Sequence, residues 1–274
     1  MTTGQTRLSI RNVQKTFHSR HQDEAFIALT DVSLDVADGE FMVIVGPSGC
    51  GKSTLLDLLA GLSHPDKGEI LLDNKPITGP SLDRGVVFQQ YALFPWLTAQ
   101  GNVEFGLEAK GIAAKERREI ALHFLDLVGL GDFARHYPAE LSGGMKQRVA
   151  IARSLAYDPE VLLMDEPFAA LDAQTREILQ CELLRSWERS RKTVGFITHG
   201  IDEAVFLGER VAVMSSRPGR IKHILTIPTG FKAGEDIRSH AEFGRLRHEI
   251  WSLLREEVSR AEEEEGKRRL ALAA

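Results

Sequence analysis

The apolar and polar positions along the chain fall into blocks that predict an α/β protein. Residues 29–36 alternate apolar and polar side chains, the period of a half-buried strand. They are followed by Asp38-Gly39, a turn dipeptide, and by the unbroken apolar run 41–45. Two strands joined by a turn are expected here. Residues 53–62 place apolar side chains on most faces of a helix, with Gly61 as its C-terminal breaker. Residues 69–72 and 85–88 predict two more strands, and from 91 to about 157 no convincing strand occurs, which predicts an inserted helical lobe. Strands return at 161–164, 194–198 and 211–214, separated by helical stretches beginning near Ala173 and Gly200. That alternation predicts a mostly parallel sheet with helices on its faces. A last helix is expected over residues 235–260, with Phe243, Leu246, Ile250, Leu253 and Val258 on one side, packing back on the body. The charge blocks 262–265 and 267–269 beyond it are expected to be solvated.

Composition narrows the class. A chain of 274 residues with 43% hydrophobic and 27% charged residues can bury one large core or two lobes, so a disordered protein is not expected. The net charge of -5 gives no general attraction to nucleic acid, and no basic patch stands out, so no nucleic-acid partner is expected. The apolar runs fall far short of the roughly 20 residues that cross a bilayer. The first eight residues are polar and lack the apolar core of a secretory signal, so export is not expected. The two cysteines, Cys50 and Cys181, fit a reducing compartment, because a disulfide at Cys50 would obstruct the loop described next.

Gly46-Pro47-Ser48-Gly49-Cys50-Gly51-Lys52-Ser53, followed by Thr54, matches the P-loop pattern in full, directly after a buried strand and before a helix. Glycines let successive backbone N–H groups turn onto phosphate oxygens, and the helix N-terminus adds partial positive charge. Lys52 is expected to reach the β- and γ-phosphates of ATP, and the Ser53 hydroxyl to ligate Mg²⁺. Cys50, among those positive partial charges, is expected to be a more reactive thiol than usual. Val161-Leu162-Leu163-Met164-Asp165-Glu166 delivers two carboxylates to the C-terminal end of a buried strand, where ligands of such sheets bind. Neighbouring side chains on a strand point to opposite sides, so the two should differ in role. Asp165 is assigned to the Mg²⁺ shell and Glu166 to polarising the attacking water.

Leu141-Ser142-Gly143-Gly144-Met145-Lys146-Gln147-Arg148 resembles the signature motif of ATP-binding-cassette proteins, with Met145 where Gln is commoner. Ser142, Gly143 and Gly144 open a helix, so hydroxyl and N–H groups there form a second anion site. The rest of that family's pattern follows in order over roughly residues 8–214. By this resemblance Phe17 is the aromatic that stacks on adenine, where Tyr is more usual. Gln89 is the glutamine that senses Mg²⁺ and the attacking water; Gln90 competes, and the Val-Val-Phe-Gln register favours Gln89. Ala170-Leu171-Asp172 resembles the loop that touches an opposing subunit. His199 resembles the histidine at the γ-phosphate, followed by Gly200 where many relatives carry Asp.

The resemblance implies a P-loop NTPase with a mostly parallel central sheet, an N-terminal antiparallel β part and an inserted α-helical lobe. Residues 1–90 and 158–230 would form the nucleotide-binding core, 91–157 the signature lobe, and 231–274 the C-terminal helix and charged tail. It also implies ATP and Mg²⁺ as ligands, and a second copy of the chain facing the first head to tail, so that each ATP lies between the P-loop of one and the signature helix of the other. The segment Tyr91-Ala92-Leu93-Phe94-Pro95-Trp96-Leu97-Thr98 is expected to receive a short helix from a membrane subunit, the alternative being a local core of these apolar and aromatic residues. That segment and Ile201-Asp202-Glu203-Ala204-Val205-Phe206-Leu207 resemble the importers of nitrate, sulfonate, taurine and related anions. The expected partners are therefore separate permease subunits and, indirectly, a solute-binding protein, with this chain peripheral at the cytoplasmic face of the membrane. A cassette ATPase acting on DNA or ribosomes lacks support, since the chain has no long coiled-coil insertion, second cassette or basic face. A small-molecule kinase would leave the signature motif and His199 unexplained.

Overall fold

A computed structural model describes residues 5–18, 25–228 and 237–272, with side chains described up to residue 259. In chain order the strands are β1 (Thr6–His18), β2 (Ala25–Ala37), β3 (Phe41–Val45), β4 (Lys67–Leu72), β5 (Lys75–Pro76), β6 (Arg84–Val87), β7 (Val161–Asp165), β8 (Thr193–Ile197), β9 (Arg210–Met214) and β10 (Ile221–Thr226). The helices are α1 (Lys52–Ala60), α2 (Ala99–Ala109), α3 (Ala114–Leu127), α4 (Gly143–Ala156), α5 (Ala173–Ser190), α6 (Ile201–Leu207) and α7 (Ala241–Leu272). The chain forms two compact units, residues 1–79 with 193–274 and residues 80–192.

In the first unit, β3 pairs in parallel with both β8 and β9, and β10 lies antiparallel on β9. Every residue of β3 and β8 is buried, which is why these strands read as continuous apolar runs: both sheet faces are covered. β2, by contrast, buries Val32, Leu34 and Val36 and exposes Asp31, Ser33 and Asp35. It pairs antiparallel with β1, which pairs in turn with β4 and then β5. The turn at residues 38–39 forms as expected, yet β2 and β3 are not partners; the turn hands the chain from the antiparallel sheet to the parallel one.

β1 and β10 were not expected from the apolar pattern. β1 buries Leu8, Ile10 and Val13, and the shift from even to odd spacing coincides with a register irregularity between Ile10 and Val13. Asn12 and Asp31 sit at positive φ there, and the Asn12 amide donates to the Asp31 carboxylate at 2.9 Å. Such a bulge erases the period of two that announces a strand. β10 buries only Leu225, and an edge strand with one buried side chain leaves no apolar run to find.

Helix α1 ends where expected, with Gly61 at φ 76 and the Leu62 N–H donating to Asp57 O at 2.9 Å, the closure that a left-handed glycine permits. Helix α7 packs Phe243, Leu246 and Ile250 into the first unit, but the expected stripe is corrected at its end. Val258 is exposed and Glu257 is buried, because a helical face returns after seven residues from Ile250 rather than eight. The helix also runs on to Leu272, through the blocks expected as a solvated tail. The sequence sets Glu263, Glu264 and Glu265 four residues ahead of Lys267, Arg268 and Arg269, a spacing that favours helix. The side chains of those blocks, and the expected helix start at Glu235, lie outside the described residues.

In the second unit β6 and β7 pair in parallel, and α2, α3 and α4 pack on one another. Thr98 caps α2 by accepting from Gly101 N at 3.1 Å. Ser142 caps α4 by accepting from Met145 N at 3.3 Å, and Asp172 caps α5 by accepting from Thr175 N at 3.0 Å, each satisfying a backbone donor that the helix leaves free. Among the described residues no strand occurs between β6 and β7.

Candidate functional site

The first unit builds the glycine loop. Val45, the last residue of β3, leads into residues 46–51, and Gly49 and Gly51 sit at φ 73 and φ 104, a region that only glycine enters without steric cost. Gly51 caps α1 without a side chain, leaving the first N–H groups of that helix to the loop. A Cβ on Gly51 would come within 2.7 Å of Leu29 Cδ2, and one on Gly46 within 2.9 Å of Cys50 Sγ, so the loop is closed around positions where no side chain fits. Lys52 is buried and donates to Gly46 O at 2.8 Å and to Pro47 O at 3.0 Å. Its ammonium therefore sits over the loop, with the exposed Ser48 and Gly49 and the exposed Ser53 around it; Thr54 is half-buried.

His199 follows the end of β8, the parallel neighbour of β3. Thr198 N donates to Ile44 O at 3.2 Å, so the histidine and the glycine loop leave the same end of adjacent strands. The Thr198 hydroxyl donates to Glu203 Oε2 at 2.6 Å and accepts from Gly200 N at 2.9 Å, which fixes the turn on which the exposed His199 stands. A cavity beside it is lined by Ile201, Asp202, Arg247, His248 and Trp251. Phe17, near the end of β1, is 40% exposed and stacks on Phe26 of β2 at 5.6 Å between ring centroids.

The second unit gathers the carboxylates and the glutamine. Val87 of β6 lies in register with Met164 of β7, so Gln89 and Glu166 emerge together, and Gln89 Nε2 lies 3.5 Å from Glu166 Oε2. Asp165 is buried at the end of β7. Glu166 has φ 45, a conformation that costs a non-glycine residue about 1–3 kcal/mol and is retained where the surroundings impose it. Tyr91 and Ala92, just past the glutamine, are also left-handed, at φ 51 and φ 48. The buried Arg153 of α4 holds both, donating to Ala92 O at 2.6 Å and Tyr91 O at 3.0 Å. At the start of α4, a Cβ on Gly143 would lie 3.0 Å from the Tyr91 hydroxyl, and one on Gly144 3.3 Å from Leu171 Cδ2. The structure thus brings Gly144 beside the 170–172 loop and Gly143 beside Tyr91.

The sequence profile described as ABC transporter matches residues 29–169. The nitrate import ATP-binding protein NrtD of Synechocystis is 49% identical over 254 residues, 90% of this chain and 95% of that protein. The taurine import ATP-binding protein TauB of Roseobacter denitrificans is 47% identical over 253 residues, 91% of this chain and 94% of that protein. The chain belongs to the ABC transporter family. Among solved structures, the ATP-binding cassette MJ0796, as a post-hydrolysis dimer bound to ADP and Pi, is 38% identical with a TM-score of 0.74, covering 81% of this chain and 99% of that one. The α/β P-loop fold read from the motifs is therefore the fold of this ABC transporter chain.

One expectation at its loop is corrected. Cys50 is only 1% exposed, and burial raises its pKa, with the Lys52 charge and backbone hydrogen bonds opposing the rise without overcoming it. A helix terminus does lower a thiol's pKa, but at Cys50 desolvation is the larger effect. Arg153 and Asn102 are structural supports of this site that no sequence motif announces. Asn102, fully buried, accepts from Phe94 N at 2.8 Å and donates to Phe94 O at 3.1 Å, Leu97 O at 3.2 Å and Thr98 O at 3.0 Å. The available signal was weak: polar side chains at inward positions of otherwise apolar helix faces in the family's helical lobe.

Proposed function

We propose that this chain is the ATP-hydrolysing subunit of an ABC importer that moves nitrate, a sulfonate, taurine or a related small anion through separate permease subunits. The observation that carries the reading is the glycine loop closed around Lys52, an anion site built from backbone N–H groups and one cation. The names of the nitrate and taurine import relatives support the importer and the solute class.

In this reading, N–H groups of residues 46–54 and the Lys52 ammonium hold the ATP phosphates, and the face of Phe17 receives adenine. Ser53 and Asp165 supply hydroxyl and carboxylate oxygens, the hard donors that suit Mg²⁺, and Gln89 completes that shell. Mg²⁺, when bound with ATP, neutralises charge on the phosphates. Glu166 orients the attacking water and takes its proton, and Gln89, at hydrogen-bond range from Glu166, orients the carboxylate and contacts that water from beside it. His199 donates to the γ-phosphate. Ser142, Gly143 and Gly144 serve the nucleotide of a second copy of the chain, an arrangement supported by the dimeric cassette structures. Hydrolysis then loosens the pair by removing the phosphate that both copies grip.

Permease contact is assigned to the aromatic segment after Gln89. Phe94 packs against Trp96 and Phe105 at 5.6 Å and 4.4 Å, Trp96 is 70% exposed, and Asn102 fixes the backbone that presents them. An apolar patch on a rigid base suits a short partner helix. Among the described residues no helix is long and apolar enough to cross a membrane. In the proposed reading the chain sits at the cytoplasmic face of the membrane, bound through this segment, with a solute-binding protein on the far side; the names of the import relatives support the membrane association.

The test is hydrolysis of ATP by the purified chain, alone and reconstituted in vesicles with its permease subunits. Phosphate release that needs Mg²⁺ and drives uptake of the anion is expected. A chain with no affinity for ATP in either setting would overturn the reading.

A further inference from the structure

The turn joining β9 to β10, residues 215–220, is tied down on every side. Ser215 N donates to Arg220 O at 2.9 Å, and the Ser215 hydroxyl donates to Ser216 O at 2.8 Å and accepts from Arg220 N at 3.0 Å. Gly219 N donates to Ala28 O at 2.9 Å while Gly219 O accepts from Thr30 N at 3.0 Å, which fastens the turn to β2. Ser216 N donates to the buried carboxylate of Glu257 on α7 at 3.2 Å. From this base Arg217 reaches the glycine loop. Its Nε and Nη2 donate to Gly49 O at 3.2 Å and 3.0 Å, and its guanidinium lies 4.6 Å from the ring centroid of Phe26, the ring on which Phe17 stacks.

That carbonyl belongs to the peptide between Gly49 and Cys50. In a planar trans peptide the C=O and the following N–H point in opposite directions, so holding the oxygen on Arg217 turns the Cys50 N–H to the loop's own side, where it lies 3.4 Å from Pro47 O. Gly49, without a Cβ, lets this peptide rotate at little steric cost. A rotated peptide would present an oxygen lone pair to the space where N–H groups must meet an anion, and anion-binding loops work only when successive N–H groups converge.

We propose that Arg217 is a positioning residue of the phosphate site: it locks the Gly49–Cys50 peptide with the N–H turned inward and so sets the affinity for the triphosphate. Its stacking on Phe26 keeps the guanidinium in the plane the lock needs. The inference rests on the reading of residues 46–54 as a triphosphate site.

The test measures ATP dissociation constants by equilibrium dialysis, together with KM and kcat, on the full-length chain and its variants Arg217→Ala, Arg217→Gln and Arg217→Lys. Arg217→Ala is expected to weaken ATP binding and raise KM by about tenfold with a much smaller fall in kcat, the pattern of lost binding rather than lost chemistry. Arg217→Gln, which keeps an N–H donor without the charge, is expected to recover most of the affinity. Unchanged affinity in Arg217→Ala overturns the lock. So does a glutamine variant as weak as alanine beside a lysine variant of full affinity, since that ordering marks long-range attraction by charge. Wild-type chain that binds no ATP would instead remove the underlying reading of the loop.

Discussion

Replacing Arg153 by methionine removes the clamp on the two left-handed residues that follow the glutamine, while keeping an unbranched apolar stem. Two hydrogen bonds from a charged donor are lost, at 2.6 Å and 3.0 Å, each of a kind that contributes about 1.5–3 kcal/mol. Against this, the guanidinium no longer has to be buried, a cost visible in its pKa, which burial lowers. Tyr91 and Ala92, at φ 51 and φ 48, hold conformations that cost about 1–2 kcal/mol per residue and are free to relax once released. The lost bonds total about 3–6 kcal/mol and the two relaxations return about 2–4 kcal/mol, so the net loss of stability is expected to be about 1 kcal/mol, which leaves the chain folded if its total lies in the usual range of about 5–15 kcal/mol. Relaxation at Tyr91 moves Gln89, two residues earlier, away from its 3.5 Å approach to Glu166. Turnover should therefore fall about tenfold while ATP affinity changes little, because the glycine loop belongs to the other unit. Arg153→Lys, with one ammonium for two carbonyls, should lie between. The assay pairs urea unfolding with ATP hydrolysis at saturating nucleotide. A methionine variant with the wild-type midpoint and the wild-type rate would refute the reasoning.

Glu166→Gln keeps the shape and loses the base, so turnover should drop by about 10²-fold or more while equilibrium binding of ATP persists; hydrolysis near the normal rate would release Glu166 from its role. Cys50, buried with a raised pKa, should react with maleimide more slowly than the half-buried Cys181 at pH 7.5, and the two should become alike in denaturant, as followed by mass spectrometry. A Cys50 that labels first would show that the loop opens far more than its packing implies. Gly61→Ala should destabilise the chain by about 2 kcal/mol or more, combining a left-handed alanine with a Cβ driven into the Gly79 backbone, and should be read from the thermal midpoint. An unchanged midpoint would mean the α1 terminus and residue 79 part without cost.

Much of the site was legible because its chemistry is local. The glycine loop needs backbone torsions that only glycine supplies, a lysine at fixed reach and a helix start, all within nine consecutive residues, so the linear pattern contains the geometry. The same holds for the Ser142 cap and for the apolar run that carries Asp165 and Glu166 to a strand end. β1 stayed hidden because its bulge at Asn12 broke the period of two, and α7 extended past its expected end because charge spacing sustains a helix where apolar spacing gives out.

The α/β class, the phosphate loop, the capped signature helix and the order in which they occur can all be read from the linear chain, since each depends on torsional preference, side-chain period or hydrogen bonds between near neighbours. Long-range packing settles that β2 and β3 enter different sheets, that Cys50 is buried, that Glu257 rather than Val258 faces inward, and that Arg153 and Arg217 hold backbone carbonyls 61 and 168 residues away. Burial and long-range hydrogen bonds are properties of what packs against a residue, and an arginine that clamps a loop has the same neighbours in sequence as one that faces water.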